Sequence, residues 1–492
     1  GSRAKGVAVR RVMLASLAVL LAATGYAAAD VMDVAPGILT LDRPVAIPAP
    51  TVSGTPVPVL LPSPAPAASD DSLLTAASTA APVPTAEGLA AALGGASDDP
   101  ALKGGVGISV RDAITGDELY ALDADRPRVP ASTAKLFAAL AVADTLDLRE
   151  TMATRVVAAP GSSDLVLVAG GDTLLAPGKG APDAVVGRAG LADLASQVAA
   201  ALKPTGATKV TLRLDLSWAP GPRYPPEWNP DDVRDGFTQA VVMTGLATQL
   251  PAAGRPSPIR PETEVAKAFV AALKAKGVTA TLAPEKTWGD PGPADAVDLG
   301  SVRSATYGEV LDLALDRSEN ALTENLVRQA AATAGRSTTK GGDNAAFVVE
   351  RLTAHGIPTE GLVLKDASGL SPGQAASAAT LSGVLHLAAT DSPDQVPGLR
   401  DVIAGLPVSG VSGTMRGRFS SDATEDVVGV PRAKTGTLKA GSALAGTTVT
   451  ADGRPLTFVV LVDEFPEDFG GTLRARAALD RIVAALTRCG CR

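Results

Sequence analysis

The spacing of apolar positions changes several times along this chain, and each change marks an element. "VMLASLAVLLAATGYAAA", from Val12 to Ala29, carries no charge and follows Arg3, Lys5, Arg10 and Arg11. A basic start, an apolar centre and small residues at Ala27 and Ala29 read as a secretory signal over residues 1–29, cleaved or kept as an anchor. Residues 30–84 are dominated by Pro, Ala, Ser and Thr and predict an extended, disordered tether. A helical period begins at Thr85 in "TAEGLAAAL". "GVGISVRDAITGDELYALD" then alternates like two strands joined at Thr115-Gly116-Asp117. "PASTAKLFAALAVA" returns to helical spacing through Leu136, Phe137, Leu140 and Ala143.

Between about 152 and 300 the character shifts to short strands ("DLVLVAG", "KVTLRLD"), loops rich in Pro and Gly, and two Ala-rich helices, which predicts an inserted α/β module. Helices resume in "TYGEVLDLALDRSENALTENLVRQAAATA". Near the end, "GVPRAKTGTL", "SALAGTTVTADG" and "PLTFVVLVDEF" predict three consecutive strands, with Ala451-Asp452-Gly453 as a turn, before the amphipathic helix "TLRARAALDRIVAALTR". Strands at both ends with helices between them predict an α+β unit whose sheet is assembled from both termini. That unit comprises residues 85–151 and 301–492, interrupted by a domain of residues 152–300.

Composition narrows the chemistry. Formal net charge is −8 and aromatics make up only 3% of the chain, which argues against a basic, aromatic-laced nucleic-acid surface. The two histidines, His355 and His386, stand singly in helix-like stretches, so a Ser-His-Asp triad and a histidine-based zinc site are both poorly supported. Cys489 and Cys491 cannot complete a zinc site alone; outside the cytosol they either pair locally or form an unused tail. Any serine chemistry here needs a base other than histidine.

Ser-x-x-Lys occurs twice. "STTK" at 337–340 sits among glycines with no apolar helix attached and reads as a solvated turn. "STAK" at 132–135 opens an apolar helix, where residues three apart share a face, so Ser132 Oγ and Lys135 Nζ come within hydrogen-bonding reach. A serine hydroxyl attacks only when a neighbour takes its proton. A lysine does so only when burial or a second cation lowers its own proton affinity. The same residues also describe a helix cap and a solvated charge, and this motif alone leaves both open. "SEN" (Ser318-Glu319-Asn320) is either a polar link between two helices or a set of side chains projecting into a cleft. "KTG" (Lys434-Thr435-Gly436), followed by Thr437 and Leu438, is either an exposed edge strand or a carboxylate site whose glycine admits a close ligand or backbone.

In this order the three motifs form the serine–lysine set of penicillin-binding proteins and class A β-lactamases. The chain resembles the class C low-molecular-mass penicillin-binding proteins, exported D-alanyl-D-alanine carboxypeptidases and endopeptidases, over roughly residues 85–488. The likeness extends to "LVAGGDTLL" (167–175) and to "DASGLSP" (366–372), where Ala367 stands in place of the family's usual glycine. Glu319 stands where relatives often carry aspartate, and the resemblance expects no action of its side chain. The long stretch between Ser132 and Ser318 is similar to the family's insert, though shorter than in larger members. No Glu-x-x-Leu-Asn string of the β-lactamases lies between Asn320 and Lys434.

The resemblance implies a penicillin-binding/β-lactamase-like transpeptidase fold: an antiparallel sheet flanked by helices, an all-helical subdomain and the inserted module. It implies Ser132 as nucleophile, Lys135 as general base with its proton affinity lowered by burial and by Lys434, and Ser318 as proton relay to the leaving amine. Asn320 would orient Lys135 and the substrate amide. Lys434, Thr435, Gly436 and Thr437 would bind the terminal carboxylate, and the N–H groups of Ser132 and Thr437 would form an oxyanion hole. No metal and no cofactor enter this chemistry. The partners it implies are peptidoglycan stem peptides ending in D-Ala-D-Ala, and β-lactams as covalent inhibitors. Nucleic acid is not among them, and the membrane is met only through the N-terminal segment, with the protein exported to the cell wall or the outer face of the plasma membrane. Leu370 and Leu438 either line the pocket or belong to the core, and Trp228 reads as a packed side chain of the insert. A β-lactamase, a serine–lysine esterase and a non-catalytic penicillin-sensing or wall-binding protein would keep the same residues.

Overall fold

The computed structural model describes residues 80–491, apart from 104, 253, 390–394 and 440. The signal expected at 1–29 and nearly all of the tether expected at 30–84 lie outside the described residues. Helix α1 (Ala86–Ser97) starts at Thr85, whose hydroxyl accepts the Gly88 N–H. Strands β1 (Val106–Asp112) and β2 (Glu118–Leu122) form a hairpin, and α2 (Lys135–Thr145) follows. Then come β3 (Thr151–Ala158), β4 (Asp164–Val168), α3 (Leu191–Leu202), β5 (Lys209–Asp215), α4 (Pro261–Ala275), β6 (Thr279–Leu282) and β7 (Val297–Thr306). Helices α5 (Tyr307–Asp316), α6 (Asn320–Thr333), α7 (Asp343–Ala354) and α8 (Ala378–Ala389) lead to β8 (Arg432–Leu438), β9 (Gly441–Val449), β10 (Pro455–Asp463) and α9 (Phe469–Arg488).

Strands β8, β9 and β10 form an antiparallel meander. β10 also pairs with β1 from Val106↔Val462 to Asp112↔Leu456, which joins the two ends of the chain in one sheet of order β2-β1-β10-β9-β8. Because β10 is buried on both faces, its stretch 458–462 reads as an unbroken apolar run. Phe458, Val460 and Val462 pack with Leu89 of α1 and Leu479 and Val483 of α9. Val459 and Leu461 face the opposite layer, with Phe137 and Leu140 of α2 and Leu385 of α8. At the far end of this sheet Arg454 and Asp112 form a buried ion pair, with Nε and Nη2 donating to Oδ2 at 2.9 and 2.5 Å. Arg454 Nη1 also donates to the Ala81 carbonyl at 3.1 Å. Cys489 and Cys491, just beyond α9, are disulfide-bonded. Among the described residues no helix is long and apolar enough to cross a membrane.

The second sheet has the order β6-β5-β4-β3-β7 and runs from Thr151 to Thr306. β3 pairs antiparallel with β4 and β7, while β4–β5 and β5–β6 are parallel, each joined by a crossover helix, α3 or α4. Leu165, Leu167, Leu212 and Leu214 meet Leu194, Val198, Val265 and Phe269 in its core. Residues 216–260, between β5 and α4, leave this sheet and lie against α6. That helix is buried along most of its length although half of it is polar. A helix buried all round is ordinarily apolar; here carbonyls of the 216–260 segment satisfy three of the polar side chains. Asn320 Nδ2 donates to Phe237 O at 3.3 Å, Asn325 Nδ2 to Val242 O at 2.7 Å and Arg328 Nη1 to Val241 O at 3.1 Å.

Candidate active site

Ser132 is not a helix cap. It lies on a 3-10 turn, Ala131–Ala134, and the N-cap position of α2 is Ala134, which makes no side-chain hydrogen bond there. Ala131 takes φ 46°, a left-handed conformation that costs a residue with a Cβ roughly 1–3 kcal/mol. Thr133 Oγ1 ties the turn back to Pro130 O at 2.6 Å. The Ser132 hydroxyl is thereby left partly exposed and turned toward Lys135.

Lys135 is fully buried. Its Nζ donates to Ser132 Oγ at 3.1 Å, to Asn320 Oδ1 at 2.6 Å and to the Ser368 carbonyl at 2.7 Å. Burial pushes its pKa down to about 8, against the opposing pull of Asp366, Glu319 and Glu324. The resemblance also gave Lys434 a share in that lowering; burial is the largest cause here, and it outweighs the three carboxylates.

The Ser-x-Asn motif forms the joint between α5 and α6, with Ser318 at φ 56°. Ser318 and Asn320 each hold one lysine: Lys434 Nζ, also fully buried, donates to Ser318 Oγ at 3.0 Å and to Thr435 O at 2.9 Å. Thr435 Oγ1 donates to Thr414 Oγ1 at 2.9 Å, and Thr437 Oγ1 is buried with no hydrogen-bond partner among the described residues. β8, which carries these residues, is the edge strand facing the Ser132 turn. The approach explains Gly436: a Cβ there would stand 2.7 Å from Pro130 O and 3.1 Å from Thr133 N. The structure therefore brings Ser132, Lys135, Ser318, Asn320, Lys434, Thr435, Gly436 and Thr437 to one place.

Ser337 and Lys340, the second Ser-x-x-Lys pair, do not join them. Ser337 is exposed and its hydroxyl donates to Asp343 at 2.6 Å. Neither histidine is part of the cluster, His355 being paired with Asp144 at 2.9 Å. Among the described residues no group of three or more His, Cys, Asp or Glu side chains is placed to hold a metal ion. Sequence reasoning missed Thr414 and the carbonyls of Ser368 and Phe237, and expected no action of the Glu319 side chain. The half-buried Glu319 side chain keeps Oε2 sealed off without a partner, and burial pushes its pKa up to about 7 against Lys135 and Arg317. The one available signal was "DASGLSP", an aspartate followed by small residues, which is turn chemistry. Trp228 is packed, as expected, with Val241, Ala321 and Leu370.

Comparison with known proteins gives the family of the chain. The model of the D-Ala-D-Ala carboxypeptidase 3 (S13) family matches residues 89–249 and 249–486. Carboxypeptidase DacB of Mycolicibacterium smegmatis is 34% identical over 87% of this chain and 90% of its own. The D-alanyl-D-alanine carboxypeptidase of Actinomadura sp. strain R39 is 30% identical over 71% of this chain and 76% of its own. The crystal structure of penicillin binding protein 4 (dacB) from Haemophilus influenzae superposes with a TM-score of 0.61 at 18% identity, covering 81% of this chain and 99% of that one. The same protein complexed with a β-lactam gives a TM-score of 0.55 at 19% identity, over 82% and 100% of the two chains. The fold is the α+β penicillin-binding fold, and the chain belongs to the D-Ala-D-Ala carboxypeptidase 3 (S13) family of serine peptidases, the class C low-molecular-mass penicillin-binding proteins.

Proposed function

We propose that this enzyme is an exported D-Ala-D-Ala carboxypeptidase that cuts peptidoglycan stem peptides through an acyl-enzyme on Ser132, and that β-lactams acylate the same serine. The observation that carries the proposal is Lys135 Nζ, buried and 3.1 Å from Ser132 Oγ, with Asn320 Oδ1 and Ser368 O as its other partners. A neutral amine has two N–H donors and one lone pair. With the donors on Asn320 and Ser368, the lone pair faces Ser132 and takes its proton as the oxygen attacks the carbonyl between the two D-alanines.

Ser318, held by Lys434, relays a proton to the leaving D-alanine amine, and water then releases the peptide from Ser132. Asn320 orients Lys135 and the substrate amide. Lys434, Thr435, Gly436 and Thr437 receive the terminal carboxylate, a role supported by the unpartnered Thr437 hydroxyl on an edge strand. The N–H groups of Ser132 and Thr437 form the oxyanion hole, where losing one donor typically costs about 3 kcal/mol in the transition state. Endopeptidase cleavage of a crosslink would use the same machinery, because the two reactions differ only beyond the scissile bond. Export rests on the apolar segment behind Arg10 and Arg11 and on the tether that follows, which also give the only membrane contact proposed. Residues 85–151 and 301–492 form the proposed catalytic domain and 152–300 the inserted one. The β-lactam proposal draws further support from the Haemophilus relative complexed with a β-lactam.

Intact-mass measurement after incubation with benzylpenicillin tests the assignment. A long-lived adduct is expected on the wild type and on Ser337→Ala, with none on Ser132→Ala. Rapid loss of the drug without an adduct would point to a β-lactamase instead, and a folded protein giving neither would overturn the serine–lysine mechanism.

A further inference from the structure

The loop at residues 366–371 is folded with its N–H groups inward. Asp366 Oδ1 accepts the N–H groups of Ser368 at 3.0 Å and Gly369 at 2.7 Å, and Gln374 Nε2 at 3.0 Å. Asp366 Oδ2 accepts the N–H of Ser371 at 2.7 Å and the indole N–H of Trp228 at 2.8 Å. Glu324 Oε1 takes the Ala367 N–H at 2.7 Å. With these donors drawn inward, the Ser368 carbonyl is left to point the other way, onto Lys135 Nζ. Gly369 has φ +83°, and a Cβ there would overlap the carbonyl of Ala131, the residue before Ser132. The loop is thus wedged between two buried carboxylates and the nucleophile turn.

Trp228 comes from the 216–260 segment of the insert. A second link, Lys365 to Glu227 at 3.8 Å, joins the residues just before each member of the Asp366–Trp228 pair. The same segment supplies Phe237 O to Asn320 Nδ2. Both non-serine acceptors of Lys135 are therefore steadied from the insert, one through Asn320 and the other through Asp366.

We propose that Asp366 and Trp228 are positioning residues of the catalytic base: the Asp366 carboxylate shapes the loop so that the Ser368 carbonyl keeps the Lys135 lone pair on Ser132, and the Trp228 N–H locks that carboxylate from the insert. The proposal rests on Lys135 acting as the base. It makes the insert part of the catalytic apparatus, through contacts that never reach the substrate.

The test is the rate of acylation by a fluorescent penicillin, measured against pH on the whole protein, together with the melting temperature. The charged groups facing Lys135 are Glu319 and Glu324 from the α6 side, Asp366 from the loop and, beyond Ser318, Lys434 from β8. Trp228→Phe keeps the ring and removes the donor; its plateau rate should fall about tenfold, the size expected for losing a hydrogen bond to a charged group. Asp366→Asn should lower the plateau as well and move the acid limb to lower pH, because Lys135 loses a neighbouring negative charge. Val241→Ala, which thins the packing beside Trp228 and leaves its N–H bond, should lower the melting temperature and keep the wild-type pH profile. Wild-type acylation in Trp228→Phe would overturn the proposal, as would an equal rate loss in Val241→Ala. Should Asp366→Asn fail to fold, Trp228→Phe decides. A wild type that is not acylated at all would instead sink the assignment of Ser132 and Lys135.

Discussion

On the proposed mechanism the availability of neutral Lys135 sets the pH at which acylation proceeds, and the lowered lysine pKa gives its size. At pH 7 a lysine with the ordinary pKa of 10.5 is neutral in about 0.03% of molecules, whereas one near 8 is neutral in about 9%. Burial thus makes the base roughly 300-fold more available at neutral pH. The second-order rate constant for acylation by a fluorescent penicillin, followed from about pH 6 to about pH 10, should rise along a limb centred near 8 and then level. Glu319 supplies an internal check. Its Oε2 has no partner, so Glu319→Gln breaks no hydrogen bond there, and it removes a negative charge that raises the lysine. Since Glu319 itself ionises near 7, the substitution should move the limb to lower pH, with the larger effect above neutrality. A profile flat across that range, or a limb that Glu319→Gln moves to higher pH, would refute Lys135 as the titrating base.

Three further substitutions probe the frame around this chemistry. Gly436→Ala would push β8 away from the Ser132 turn; acylation should drop about 100-fold, with the melting temperature little changed, since a shift of about 1 Å at a reacting centre costs that much. Asp172, buried in the "LVAGGDTLL" segment, has its pKa pushed up to about 7 by burial while its Oδ1 accepts the Leu174 N–H at 2.8 Å. A carboxyl raised in the fold binds its proton more tightly there than in the unfolded chain. Its contribution to stability therefore falls as pH rises from 3.8 to about 7, and stays lost above. Asp172→Asn keeps the Leu174 bond, so it should raise the melting temperature near pH 8 and lose that advantage toward pH 4. Asp112→Ala would take a buried carboxylate away from Arg454 and should cost about 3 kcal/mol by denaturant unfolding; a loss below about 1 kcal/mol would show the pair to be dispensable.

The parts of the molecule that were legible in the sequence are those where a side chain announces its own environment. β10 shows as an apolar run because both faces are buried, and β1 and β2 show as an alternation around a glycine turn. Ser132, Lys135, Ser318 and Lys434 could be named because their side chains are of the types that such chemistry needs. The cap reading of Ser132 was set aside only by backbone: a left-handed Ala131 and a 3-10 turn put the serine upstream of the helix that it could have capped. The parallel pairing of β4, β5 and β6 was out of reach because its partners are separated by whole helices, and nothing local encodes that register.

Two of the site's remaining partners are backbone groups, and that is why they were invisible. Ser368 O and Phe237 O act through a carbonyl that every residue type possesses, so no composition or spacing marks them. Their positions are set indirectly, by residues whose side chains look misplaced. An aspartate buried in a run of small residues, or a helix too polar for its burial, is tolerated only where main chain comes to satisfy it. Glycines give the complementary sign. Gly436 and Gly369 each stand where a Cβ would strike the backbone of the Pro130–Thr133 turn. Both glycines close on the turn that carries Ser132, so in this chain the missing side chains outline the proposed nucleophile as clearly as the charged ones do.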